Sequence, residues 1–289
     1  MTNPTPSNLE PGKSQDEVLL WLDSRLRQVV SRRTSLAVCL WGDPGIGKSF
    51  RVDALLKSLP CVSVKIGAGN AIQGLIQVLP APVASLPVWA SRRLEDARAG
   101  KLFDAVQIAE AISAQLETIK PVVVVIENIH RVSEDALKFL ASLRDGVARS
   151  RGVALLTTSR ITPANSTGFE AVRLEALEPE KVRAMLEAGA GASLPDAAHD
   201  WIWRRSQGNP LFALEYFGFL SRQGFLWNDA RRWRWREPKD AGLPTNLEGL
   251  LVRTLEAAMD GPDSRVCSSW ASTNAARICC SRVTRCSNG

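Results

Sequence analysis

Short apolar runs of strand length alternate with longer stretches whose apolar residues recur at helical spacing. Leu36, Ala37, Val38, Cys39, Leu40 and Trp41 form a continuous run, as a strand buried on both faces requires. Val122 to Ile126 is β-branched throughout, follows Pro121 and ends on an acid, Glu127. Val153 to Thr158 ends at Ser159-Arg160, and weaker runs at Cys61 to Ile66 and Ala171 to Leu174 predict two more strands. Helical stripes separate them: Val18, Leu19, Leu22, Leu26 and Val30 over 17–30; Val52, Leu55, Leu56 and Leu59 before Pro60; Ile72, Leu75, Ile76 and Leu79. Leu102, Ala105, Val106, Ala109, Ile112 and Leu116 predict a helix over about 102–118, and Leu137, Leu140 and Leu143 another. This order predicts an α/β fold, a mostly parallel five-stranded sheet flanked by helices, with ligands at the C-terminal ends of its strands.

After Glu178 the pattern turns wholly helical. Pro179 suits a first helical position, Val182, Met185 and Leu186 give a stripe, and Trp201, Ile202 and Phe212 to Leu220 supply two further helices. Gly224 to Glu237 fits a β-hairpin, and Asn246 to Met259 is again amphipathic. The expected organisation is a loose arm at 1–16, an α/β core at 17–177, a C-terminal helical lid with a hairpin at 178–262, and an irregular tail at 263–289. That tail is abruptly rich in Cys, Ser and Arg and reads as a truncated or frame-shifted terminus.

Composition narrows the classes. The chain has 289 residues, 45% of them hydrophobic, enough for a sizeable core. Ile66 to Ser91 carries no charge, but Pro80, Pro82 and Pro87 interrupt it, so a buried helix and a Pro-rich loop are expected rather than a membrane span. The N-terminus lacks the basic and apolar segments of a secretory signal, so a cytoplasmic protein is expected. A net charge of +6 permits contact with nucleic acid without demanding it. Cys39 and Cys61 fall in predicted strands and read as core, and with only His130 and His199 present a histidine-rich metal site is not expected.

The candidate chemistry lies where the first strand ends. Gly42-Asp43-Pro44-Gly45-Ile46-Gly47-Lys48-Ser49, followed by Phe50, has the pattern G-x-x-x-x-G-K-S between a strand and a helix, that of a phosphate-binding loop. Its glycines let successive N–H groups turn inward on a phosphate chain, Lys48 reaches the β and γ phosphates, and the Ser49 hydroxyl serves Mg²⁺. Glu127 stands where a carboxylate holds the metal through water, so Ser49 and Glu127 are the expected metal residues and ATP with Mg²⁺ the expected ligands. Asn128 can orient water but cannot accept its proton. Arg160 reads equally as a γ-phosphate contact and as a surface arginine; His130 reads as a local hydrogen-bonding residue. Trp233 and Trp235 alternate with Arg232, Arg234 and Arg236, either as a nucleic-acid surface or as a hairpin packing one face and wetting the other.

On these residues the chain resembles the AAA-like ATPase modules of the STAND class, the signal-transduction ATPases of MalT-like and LuxR-type bacterial regulators. GDPGIGKS at 42–49 resembles their Walker A loop, VVVVIENIH at 122–130 their Walker B strand end, and TTSR at 157–160 their sensor strand. GNPLF at 208–212 is similar to their lid motif, whose proline, here Pro210, is implied to pack near the adenine. The resemblance implies a P-loop NTPase fold and an ATP-binding switch in signal transduction or transcription regulation. ATP and Mg²⁺ would lie between core and lid, with Lys48, Glu127, Asn128 and Arg160 as catalytic candidates and slow or no hydrolysis. Asn128 stands where a second acid is usual, and the chain ends where an effector would begin. The alternatives are a DNA-binding ATPase of the origin-recognition or loader kind, or a non-signalling remnant of a larger regulator. A regulatory protein partner, self-association and DNA all remain open as partners.

Overall fold

The computed structural model describes residues 14–80, 85–163, 168–229 and 232–238, which form an α/β unit ending at Glu175 and a helical unit from Ala176. Helix α1 (Gln15–Val30) opens on a capping box: Ser14 Oγ accepts from the Glu17 N–H, and a Glu17 carboxylate oxygen accepts from the Ser14 N–H at 2.8 Å. Val18, Leu22, Leu26 and Val29 are its buried stripe.

The strands are β1 (Leu36–Trp41), β2 (Val62–Gly67), β3 (Val122–Glu127), β4 (Val153–Ser159) and β5 (Glu170–Arg173). They form one parallel sheet in the order β2-β3-β4-β1-β5. Both faces are covered. Cys39, Val124, Ile126 and Leu155 join a core with α3 (Ala71–Val78), α4 (Val88–Arg98), α5 (Ala105–Thr118) and α6 (Glu134–Arg149). The intervening Val38, Val123, Val125 and Leu156 are also fully buried, and α1 lies against β1 and β4. This two-sided burial explains why β1, β3 and β4 read as unbroken apolar runs.

Several expectations need correction. Cys61 precedes β2 and is only half-buried, because β2 is an edge strand that buries just Val64 and Ile66. Leu55 and Leu56 are likewise half-buried on α2 (Lys48–Lys57). Helix α5 begins at Ala105, where Asp104 caps it by accepting from the N–H groups of Val106 and Gln107 at 2.9 Å each; Leu102, outside the helix, is fully exposed. Helix α4 escapes the pattern because its buried stripe, Ala90, Leu94 and Ala97, contains two alanines amid Arg92, Arg93, Glu95 and Asp96.

The helical unit comprises α7 (Pro179–Ala190), α8 (Asp196–Ser206), α9 (Pro210–Arg222) and the antiparallel pair β6 (Leu226–Asn228) and β7 (Trp233–Trp235). Its core includes Val182, Leu186, Ile202, Ala213, Leu220 and Leu226. The hairpin supports its packing reading: Trp233 meets Phe217 at 5.4 Å between ring centroids and Trp235 meets Trp201 at 5.9 Å. Arg234 is held by Asp229 at 2.5 Å and Arg236 lies over Phe225, so two of the three alternating arginines are engaged inside the unit. The expected amphipathic segment 246–259, the tail 263–289 and most of the arm lie outside the described residues.

Candidate nucleotide-binding site

Parallel pairing brings three strand tips to one end of the sheet. Trp41 is level with Ser159, so the loop after β1 and Arg160 after β4 leave side by side. Ile126 is level with Thr157, which places Glu127 beside Thr158 on the other flank of β4. The polar end of β4 holds its neighbours through hydroxyls. The Thr157 Oγ1–H donates to the Val38 carbonyl at 3.4 Å, and Thr158 Oγ1 accepts from the Asn128 N–H at 3.1 Å. His130 Nδ1 accepts from the Arg160 N–H at 3.4 Å, a local backbone contact.

The loop itself is set by glycine. Gly45 and Gly47 have φ of 79° and 95°; a Cβ at Gly47 would meet nothing within 4 Å, so there the demand is conformational rather than steric. Gly42 and Ile46 are buried, while Asp43, Pro44, Ser49 and Phe50 are exposed. Lys48 folds back over the loop, its ammonium donating to the carbonyls of Gly42 at 2.7 Å and Asp43 at 2.9 Å. Burial and then the charge of Arg160 hold the Lys48 ammonium below the usual lysine range, partly opposed by Asp43. Positive charge at Lys48, the first residue of α2, with Arg160 adding to it, favours an anion at this end of the helix.

Glu127 has a different setting. Its Oε1 is sealed from solvent without a hydrogen bond, and its charged neighbour is the Lys65 ammonium at 3.3 Å. Lys65 also donates to both carboxylate oxygens of Asp53, at 2.9 and 3.0 Å. Asp53 lies one helical turn after Ser49, on the same face of α2. The Glu127 oxygen lacking a hydrogen bond and the exposed Ser49 hydroxyl are hard oxygen donors of the kind Mg²⁺ takes, an ion that uses few protein ligands and completes its shell with phosphate and water. Sequence reasoning missed Lys65 and Asp53; the available signal was a lysine inside the short run Val62 to Ile66.

Asn128, at the end of β3, is left-handed, with φ 63° and ψ 43°, a conformation asparagine tolerates better than most residues. Pro210 belongs to the helical unit, and each residue of its motif has a task there. Gly208 has φ 76°, and a Cβ would come 2.3 Å from the Leu177 carbonyl oxygen. Asn209 caps α9 by accepting from the N–H groups of Leu211 and Phe212, and Pro210 is the first helical residue.

A parallel α/β sheet whose first strand runs through a glycine loop into a Lys-Ser helix defines a P-loop NTPase fold. Residues 16–156 match the AAA ATPase domain family. No curated protein matches the chain. Among solved structures the chain is similar to Cdc6p from Pyrobaculum aerophilum, with 14% identity and a TM-score of 0.50, covering 76% of this chain and 65% of that one. It is also similar to a Signal Transduction ATPase with Numerous Domains, bearing a tetratricopeptide repeat sensor, from Pyrococcus horikoshii: 16% identity, TM-score 0.47, covering 71% of this chain and 31% of that one. Drosophila ORC bound to DNA gives 12% identity and a TM-score of 0.48, covering 78% and 65%. The match therefore spans less than two thirds of the Cdc6p chain.

Proposed function

We propose that this chain is an ATP-dependent regulatory switch, an AAA ATPase module that binds ATP·Mg²⁺ and hydrolyses it slowly if at all. The observation that carries the reading is the glycine loop that leaves β1 beside the end of β4 and delivers Lys48, the first residue of α2, close enough to Arg160 for that cation to lower its proton affinity. A triphosphate relieves that repulsion. In this reading the Lys48 ammonium leaves the carbonyls of Gly42 and Asp43 for the β and γ phosphates, and Arg160 meets the γ phosphate with a charge-assisted hydrogen bond. Mg²⁺ would be held by Ser49 and, through water, by Glu127, and would offset the phosphate charge.

Slow turnover follows from Asn128. Its amide accepts no proton at neutral pH, and its backbone N–H is tied to Thr158, so it can position water without activating it. By its resemblance to the lid motif, Pro210 serves the adenine. Nucleotide state would then bias the conformation that a regulatory partner reads.

Isothermal titration calorimetry of the full chain with ATP and Mg²⁺ tests the reading. The parent chain is expected to give a saturable heat. Lys48→Ala, which removes the ammonium but leaves the backbone cradle, is expected to weaken binding at least a hundredfold, about 3 kcal/mol. Equal affinities in parent and variant would refute the site.

A further inference from the structure

Lys65 is hydrogen-bonded to Asp53 and also lies within ion-pair distance of Glu127. Its ammonium is 2.9 and 3.0 Å from the Asp53 oxygens on α2 and 3.3 Å from Glu127 Oε1 at the tip of β3. Glu127 Oε1 is sealed from solvent and has no hydrogen bond. We propose that Lys65 is a resident counter-ion for Glu127 that gives up this contact to Mg²⁺ while keeping Asp53, so that Lys65 and Asp53 together set the Mg²⁺ requirement of nucleotide binding. The proposal rests on the ATP·Mg²⁺ reading above and assigns residues that the loop motif does not include.

Three physical points support it. A carboxylate oxygen sealed from water is costly without a cation nearby, and Lys65 supplies one from within the chain. A divalent ion next to Glu127 is opposed by any ammonium remaining at 3.3 Å, so Lys65 is a competitor for that oxygen and not an additional ligand. Lysine is a compact charge on a flexible stem, and Asp53 already accepts it through both oxygens, so it can shift without being left unpaired. Because Asp53 shares a helix face with Ser49, the withdrawn charge stays one turn from the hydroxyl expected to serve the metal. Lys65 and Asp53 are thus positioning residues whose effects on the metal are opposite in sign.

The opposition gives the test. ATP affinity of the full chain would be measured by calorimetry from EDTA through rising free Mg²⁺, and the Mg²⁺ midpoint compared among variants. Lys65→Met is expected to lower the midpoint about fivefold by removing the competitor, and Asp53→Asn to raise it about threefold by leaving Lys65 on Glu127 alone. Lys65→Arg, which keeps the charge, should stay near the parent. Midpoints that do not move, or that move in the same direction in both variants, overturn the proposal while leaving ATP binding itself intact. A melting experiment without nucleotide decides the matter even if the parent binds no ATP. Millimolar Mg²⁺ should raise the melting temperature of Lys65→Met, whose Asp53 and Glu127 are left without their cation, and leave the parent unmoved. Equal Mg²⁺ responses in the two proteins would also overturn it.

Discussion

Arg160 follows β4 and Lys48 opens α2, and the charge of Arg160 adds to burial in lowering the proton affinity of the Lys48 ammonium, an effect that a bound anion would relieve. Of the two, Arg160 lies beyond the loop and is exposed, placed to report on the terminal phosphate rather than to hold the nucleotide. Arg160→Ala is therefore expected to weaken ATP about tenfold and ADP about twofold, narrowing their affinity ratio. Competition calorimetry reads the ratio, and an unchanged value rejects the role. Beneath the loop, burial pushes the Cys39 thiol from 9.0 up to about 11, partly offset by a hydrogen bond with Thr157 and the charge of Lys48. An acid whose folded pKa is raised contributes stability below its unfolded pKa and loses it as pH rises toward the folded one. Denaturant midpoints should thus fall between pH 9 and about 11, with Cys39 contributing about 1 kcal/mol of that fall by pH 10. Cys39→Ala should flatten the slope over this window, whatever its offset at pH 7.

Among the elements, β4 is the hinge of the arrangement, since it separates β3 from β1 and pairs with both. Its apolar body is core, while near its end the Thr157 hydroxyl donates to Val38 of β1 and the Thr158 hydroxyl accepts from the Asn128 N–H just after β3. Helix α9 shows the same economy at its start, where Gly208, Asn209 and Pro210 respectively permit a close approach, cap the helix and begin it. Gly208→Ala should destabilise the helical unit by about 3 kcal/mol, combining a left-handed backbone with a 2.3 Å clash against the Leu177 carbonyl oxygen. Urea denaturation followed by tryptophan fluorescence would measure it, because Trp201, Trp203, Trp233 and Trp235 all pack against that core. A loss below about 0.5 kcal/mol would show that the loop moves aside at little cost.

For the molecule as a whole, the net charge of +6 suits an anionic ligand but does not single one out. No helix among the described residues is long and apolar enough to cross a membrane. A ligand that binds only the folded chain stabilises it by mass action, so ATP·Mg²⁺ at a hundred times its dissociation constant should add about 2.7 kcal/mol. ADP·Mg²⁺ at the same multiple should add as much, whereas Lys48→Ala at the ATP concentration should gain at most about 0.4 kcal/mol. Thermal melts with matched Mg²⁺ provide the check.

The five strands, most of the helices and the glycine loop between β1 and α2 could be read from the sequence. Buried strands and a phosphate loop are local patterns, fixed by runs of adjacent residues and by backbone angles that few residues adopt. Three matters belonged to the tertiary structure alone. Sheet order placed β2 at an edge and so left Cys61 half-buried, against the expectation that it is core. Packing made a helix of α4, whose small buried residues give almost no stripe. Finally, the meeting of Asp53, Lys65 and Glu127 joins a helix, an edge strand and a central strand. No spacing along the chain encodes that meeting, because it exists only once β2 pairs with β3 and Asp53 of α2 reaches Lys65.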